Sequence, residues 1–328
     1  MNQNNKKSSA KGSKLLGGFA LAAMASGYMY YKLNNLPSVH LPKAIESDMG
    51  HFASDVAGEL YYYANKRPGG RPLLLLHSIN AAPSSMEVRP LFDHYQKERP
   101  VYSLDLPGFG FSERSGERPY LPELYTQAII EMVSTQIGTA VDAIALSLTS
   151  EFLARAAMQR PDLFNSITLV SPTGFQEGQS EKEYPGENLY RFFSLPLFSQ
   201  GVYTLLTKRP IIQYYSNMSF VGDAAPQFVD YAYATSHQRG ARFAPLYFLS
   251  TQLFSFDILP SVYAKLSTPA LVLYDEDPNV TFENLSGFVA SQSNWRAERV
   301  TPSRGLPHWE MLGEVTAVLD NFWNSISQ

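Results

Sequence analysis

The 328-residue chain is 45% hydrophobic and 17% charged, which is enough apolar material to bury a large core and too much for a disordered segment. Its net charge of −4 offers no basic field to hold nucleic acid, which is excluded as a partner. The absence of cysteine removes disulfides, thiolate metal sites and a cysteine nucleophile together.

The chain begins with Lys6, Lys7, Lys11 and Lys14 and no acid, followed by the apolar run LLGGFALAAMASGYMYY from Leu15 to Tyr31. A basic start before an apolar run slightly shorter than the roughly 20 residues of a full span reads as a signal peptide or an uncleaved anchor. Tyr28, Tyr30 and Tyr31 suit a membrane interface and favour the anchor, whereas Ala23-Met24-Ala25 offers a cleavage site. With the lysines on the cytoplasmic side, the remainder lies outside the cytoplasm, either membrane-anchored or exported after cleavage. Residues 1–33 are assigned to this segment. Residues 34–49, polar and holding Pro37 and Pro42, form a linker.

From about Gly50 the pattern changes. A Gly58 turn separates two short extended segments, and then five apolar runs recur, starting at Leu73, Val101, Val141, Ser166 and Ala270. Each is continuous rather than alternating, as expected of a strand covered on both faces. Helix-like stretches such as LPELYTQAIIEMVSTQI and SEFLARAAMQR lie between them. This alternation predicts an α/β fold, a mostly parallel central sheet flanked by helices, with active residues at the carboxyl ends of the strands. Residues 176–259 break the alternation and are crowded with aromatics, which predicts a helical cap inserted between core segments 50–175 and 260–328.

In VDAIALSLTSEF (141–152), Ser147 stands where a strand meets a helix, either as a nucleophile on a sharp turn or as a capping serine. The flanking Ala145 and Thr149 occupy positions that are glycine in the usual G-x-S-x-G elbow. ALVLYDEDPNV places Asp275, Glu276 and Asp277 past a strand, and SRGLPHWEML places His308 before a final helix. A serine needs a histidine to take its proton, and the histidine needs a carboxylate to fix its tautomer. Upstream, the strand from Leu73 runs into His77-Ser78-Ile79-Asn80. No cluster has metal-ligand spacing, so no metal and no cofactor is predicted.

With these residues in order, and with Asp105-Leu106-Pro107-Gly108-Phe109-Gly110-Phe111-Ser112 following a strand, the chain resembles the α/β-hydrolase superfamily over about residues 50–328. The resemblance implies Ser147 as nucleophile, His308 as general base and Asp277 as orienting acid, with Asp275 as the alternative acid. It implies the backbone N–H groups of Leu148 and Ile79 as oxyanion donors, while Ser78, Ala145 and Thr149 replace the family's glycines. The expected activity is hydrolysis of a small apolar ester or thioester through an acyl-enzyme. The alternatives are a carbon–carbon bond hydrolase with the same triad, and a membrane-tethered accessory protein of the same fold without catalysis.

Overall fold

The computed structural model describes residues 27–28, 39–178 and 186–326. Eight strands form one sheet in the order β1-β2-β4-β3-β5-β6-β7-β8. β1 (Asp48–Ser54) and β2 (Gly58–Asn65) make a hairpin that turns at Gly58, where φ is +74° and a side chain would be strained. β2 pairs antiparallel with β4 (Val101–Leu104), and β4 pairs parallel with β3 (Leu73–Leu76). β5 (Val141–Leu146), β6 (Phe164–Val170), β7 (Ala270–Glu276) and β8 (Trp295–Arg304) continue the sheet in parallel.

The continuous apolar runs serve two cores, because successive side chains in a strand point to opposite faces. Leu74, Leu76, Ala143, Ala145, Ile167 and Leu169 pack on one face, against α2 (Pro122–Glu131) and α3 (Thr149–Gln159). Leu73, Leu75, Ile144, Leu146, Leu271 and Leu273 pack on the other, against α1 (Arg89–Tyr95) and the C-terminal α12 (Leu312–Ile326). Leu75 is fully buried, so Leu75→Ala carries a cost of about 2–5 kcal/mol.

β8 was not among the expected strands. Its sequence WRAERVTPSR alternates poorly and contains Pro302, both tolerable because β8 is the last strand and pairs only with β7. Its carboxyl end delivers the chain to α11 (Pro307–Glu310), the turn that carries His308.

Between β6 and β7 the chain forms the cap. Its helices are α4 (Gly186–Phe193), α5 (Pro196–Leu206), α6 (Arg209–Met218), α7 (Pro226–Ser236) and α8 (Phe243–Leu249), and the short α9 (Ile258–Ser261) leads back to the core, where α10 (Leu285–Ser291) lies between β7 and β8. Phe228, Val229 and Tyr231 of α7 share a buried cluster with Ala44, Ile45 and Tyr63, so the cap is packed onto the core rather than merely tethered to it. The Tyr203 hydroxyl donates to Ala81 O at 3.0 Å. Among the described residues no helix is long and apolar enough to cross a membrane. Apart from Gly27 and Tyr28, the apolar run Leu15 to Tyr31 lies outside the described residues.

Candidate active site

β5 ends at Leu146 and α3 begins at Thr149, leaving two residues to reverse the chain. Ser147 takes φ of +50°, a left-handed conformation costing a non-glycine residue roughly 1–2 kcal/mol. Its N–H bonds to Val170 O at 2.8 Å on β6, and its own carbonyl accepts from Ser150 N at 3.0 Å. Ser147 does not cap the helix: the residue preceding α3 is Leu148, and no side chain there makes a capping hydrogen bond. Among the described residues Ser147 Oγ has no hydrogen-bond partner.

Thr149 stands where the usual elbow has glycine. It is fully buried, and its Oγ1 donates to His77 O at 2.7 Å, tying the start of α3 to the end of β3. His77 is in turn fixed by two bonds. Its Nδ1 lies 2.7 Å from Ser78 O, and its Nε2 accepts from Leu106 N at 3.0 Å, which places the ring proton on Nδ1. Burial pushes His77 down to about 4, so the ring is neutral and structural.

Asp105 shapes the loop after β4. One oxygen accepts from Ser85 Oγ at 2.7 Å, and the other accepts from Phe111 N at 2.9 Å. A Cβ on Gly110 would fall 2.0 Å from the Asp105 carboxylate carbon, so this loop requires glycine there.

Of the two expected oxyanion donors, Ile79 follows His77 and Leu148 follows Ser147. Ile79 and Leu148 are both buried, and among the described residues neither backbone N–H has a protein acceptor. Buried unpaired N–H groups are rare; Leu148 adjoins Ser147 in sequence, and Ile79 lies three residues past Leu76, where β3 pairs with Ala145 of β5. Ser78, which replaces the family's glycine, is accommodated by Glu87. The Glu87 carboxylate accepts from Ser78 N at 2.7 Å and from Asn80 Nδ2 at 3.0 Å, and Asn80 Nδ2 also donates to Ser78 Oγ at 2.9 Å. Burial raises the Glu87 carboxyl against these bonds. Sequence reasoning missed Glu87; its signal was a lone acid between Met86 and Val88 before α1.

The acid and base are placed differently. Asp275 is committed to the β7–β8 pair, with one oxygen accepting from Arg299 Nε and the other from Ser303 N, both at 2.7 Å. Burial pushes its carboxyl up, but those donors outweigh it and hold it below the usual carboxylate range. Asp277 Oδ1 accepts from Asn279 N at 2.8 Å and Val280 N at 3.2 Å, and its carboxyl also bonds the Ser171 side chain. Its Oδ2 would lie 3.1 Å from a Cβ on Gly305, three residues before His308. Burial raises Asp277.

His308 is fully buried, with Nε2 2.7 Å from Glu87 O, which also accepts from Trp309 Nε1 at 2.7 Å. Facing a carbonyl, Nε2 carries the proton, and Nδ1 is buried without a partner. Burial pushes the ring down to about 4, the Glu87 carbonyl opposing. Ser147, Asp277 and His308 thus share one edge of the sheet, but no hydrogen bond joins them. The tautomer of His308 is the reverse of the one a serine's general base needs. No group of three His, Asp or Glu side chains able to hold a metal occurs among the described residues.

The chain matches the Alpha/beta hydrolase family over residues 73–318. It is 24% identical over 227 residues to the uncharacterized hydrolase YugF of Bacillus subtilis (strain 168), covering 67% of this chain and 78% of that protein. Three solved structures share the fold at TM-scores of 0.66. CarC, a serine hydrolase involved in carbazole degradation, is 13% identical, covering 84% of this chain and 99% of its own. A bromoperoxidase from Bacillus anthracis is 17% identical, covering 84% and 100%. A haloalkane dehalogenase variant, DbeA-M1, from Bradyrhizobium elkanii is 12% identical, covering 85% and 97%. With the sheet order, the elbow and the family match in agreement, the chain belongs to the α/β-hydrolase family.

Proposed function

We propose that the protein is a serine hydrolase cleaving an ester or thioester of an apolar substrate through an acyl-enzyme. The observation that carries this reading is the pair of buried, unpaired N–H groups of Ile79 and Leu148 beside a serine held at φ of +50°. Donors left without a protein partner beside a strained hydroxyl suit the negative oxygen of a tetrahedral intermediate.

In this mechanism Ser147 Oγ attacks the carbonyl carbon while His308 takes its proton, and the oxyanion is held by Ile79 and Leu148. His308 first releases Glu87 O. Its ring proton passes through water from Nε2 to Nδ1, the bare Nε2 then faces Ser147, and Nδ1–H donates to Asp277, the carboxylate with an oxygen beside the His308 loop. His308 gives the proton to the leaving group, and water repeats the sequence to free the acid. A serine at the elbow, rather than a carboxylate, disfavours displacement of a halide.

The test is intact mass after treatment with a fluorophosphonate, which labels only an activated serine. A single adduct on the parent and none on Ser147→Ala is expected, with kcat in the variant down by at least about 10³-fold. A well-folded parent that takes no adduct would instead favour a non-catalytic accessory protein.

We further propose that the N-terminal segment holds the protein on a membrane with the folded domain outside the cytoplasm, on the strength of the four lysines before the apolar run. With no native cysteine, Thr135→Cys should react with a membrane-impermeant maleimide in intact cells. Labelling only after lysis would place the domain in the cytoplasm.

A further inference from the structure

Ten large apolar side chains stand exposed among the described residues, and seven of them belong to a cap that makes up about a quarter of the described chain. Phe192 and Leu195 lie at the end of α4, Leu205 on α5, and Tyr214 and Tyr215 on α6. α6 packs on α7 through the buried Ile212 and Phe228 cluster, while Tyr214 and Tyr215 of the same helix stand exposed.

The place where the chain enters the fold says what meets this face. Val39 O accepts from Gln238 Nε2 at 2.7 Å, just past the end of α7, and Ala44 and Ile45 continue into the α7 cluster. The folded domain is therefore attached at its cap. From Tyr31, the last residue of the apolar run, to Val39 there are eight Cα steps, which span at most about 29 Å in any conformation. A folded unit of this size is about 50 Å across. With the apolar run in a bilayer, the tether keeps the cap within reach of the surface and holds the opposite edge of the sheet away from it.

Charge agrees with this orientation. Residues 186–259 hold five Lys or Arg against four Asp or Glu, whereas the remaining described residues hold 15 against 24. The acid-rich core is repelled by an anionic surface and the cap is not.

We propose that the outer face of α4–α6 lies on the phospholipid bilayer, with Phe192, Leu205, Tyr214 and Tyr215 at the boundary between headgroups and acyl chains. This rests on the anchor reading of the N-terminal segment. It deepens the proposed function, because a substrate dissolved in the bilayer is presented to the cap over Ser147 rather than to the far edge of the sheet.

The test uses the full chain and its lack of cysteine. Leu205→Cys and Tyr215→Cys carry an environment-sensitive fluorophore in phosphatidylcholine–phosphatidylglycerol vesicles with and without brominated lipid. Thr135→Cys, exposed just before β5 at the opposite edge, is the reference. A blue shift and loss of emission to bromolipid at 205 and 215, but not at 135, are expected. A chain that survives an alkaline carbonate wash on the vesicles, yet is no more quenched at 205 and 215 than at 135, keeps the anchor and overturns the cap contact. A chain stripped by carbonate overturns the anchor, and the cap contact then stands or falls on the quenching alone.

Discussion

At Ser147 the backbone does the positioning: β5, β6 and the first turn of α3 fix the left-handed residue, Thr149 locks α3 to His77, and two N–H groups are left over. At His308 the ring is held by a single contact to the backbone carbonyl Glu87 O, with its other nitrogen unpaired. One half of the site is complete without substrate. In the other half the ring must leave Glu87 O and its proton must move from Nε2 to Nδ1 before the proposed triad exists. A strained turn is held by strand pairing on β6, whereas the histidine sits on a four-residue turn and is held by one contact to a backbone carbonyl.

The largest effect that tests this contrast lies in the incomplete half. If His308 turns to Asp277 during the reaction, Asp277→Asn should lower kcat by roughly 10³ to 10⁴-fold with little change in Tm, as expected when the histidine is left in the wrong tautomer. Asp275→Asn should do the opposite. Losing charge-assisted bonds to Arg299 and Ser303 should cost about 1–3 kcal/mol of stability in urea unfolding and leave kcat within a few-fold. Reversed results would move the acid to Asp275.

The next effect lies behind Ser147. Glu151, in the first turn of α3, is buried and accepts from Thr173 Oγ1 and from Ser255 N. Burial pushes its carboxyl up to about 7 from 4.5. Because the folded value lies above the unfolded one, the stability this group contributes is fully present below about pH 4.5 and lost as pH rises through about 7, on the order of 3 kcal/mol at most. Glu151→Gln keeps an acceptor for Ser255 and cannot ionise. Its Tm should equal the parent's near pH 5 and exceed it by several degrees at pH 8.5. Parallel Tm curves across that range would show that Glu151 is already ionised in the folded protein.

The sheet was legible because its strands are buried on both faces, and Leu73 to Leu76 need no alternation to be read. β8 was not, because an edge strand lightly covered by helices carries Arg296, Glu298 and Arg299 where an apolar run would be sought. Order along the chain placed Ser147, Asp277 and His308 past the carboxyl ends of β5, β7 and β8, but the choice of Asp277 over Asp275 came from the family resemblance. The partner of His308 could not be named, since Glu87 O is a backbone atom 221 positions away whose side chain serves Ser78. Spacing identifies residues that stand together at a sheet edge. It does not fix a ring rotation.

The smallest effect bears on whether the finished half owes its shape to Thr149. Thr149→Val keeps the shape and removes the hydroxyl, leaving the buried His77 carbonyl without its donor. That should cost about 1–2 kcal/mol. Ser147 itself is held by Val170 O and Ser150 N, neither of which involves Thr149, so kcat should stay within about threefold if the elbow is a property of strand pairing. The Ile79 N–H, a proposed oxyanion donor, is the group placed to feel the change, since it lies two residues beyond His77. A kcat loss of tenfold or more at unchanged KM, with Thr149→Ser restoring it, would mean that the Thr149 hydroxyl holds the Ile79 N–H in place. The elbow's missing glycine would then have been replaced by a working tether rather than merely tolerated.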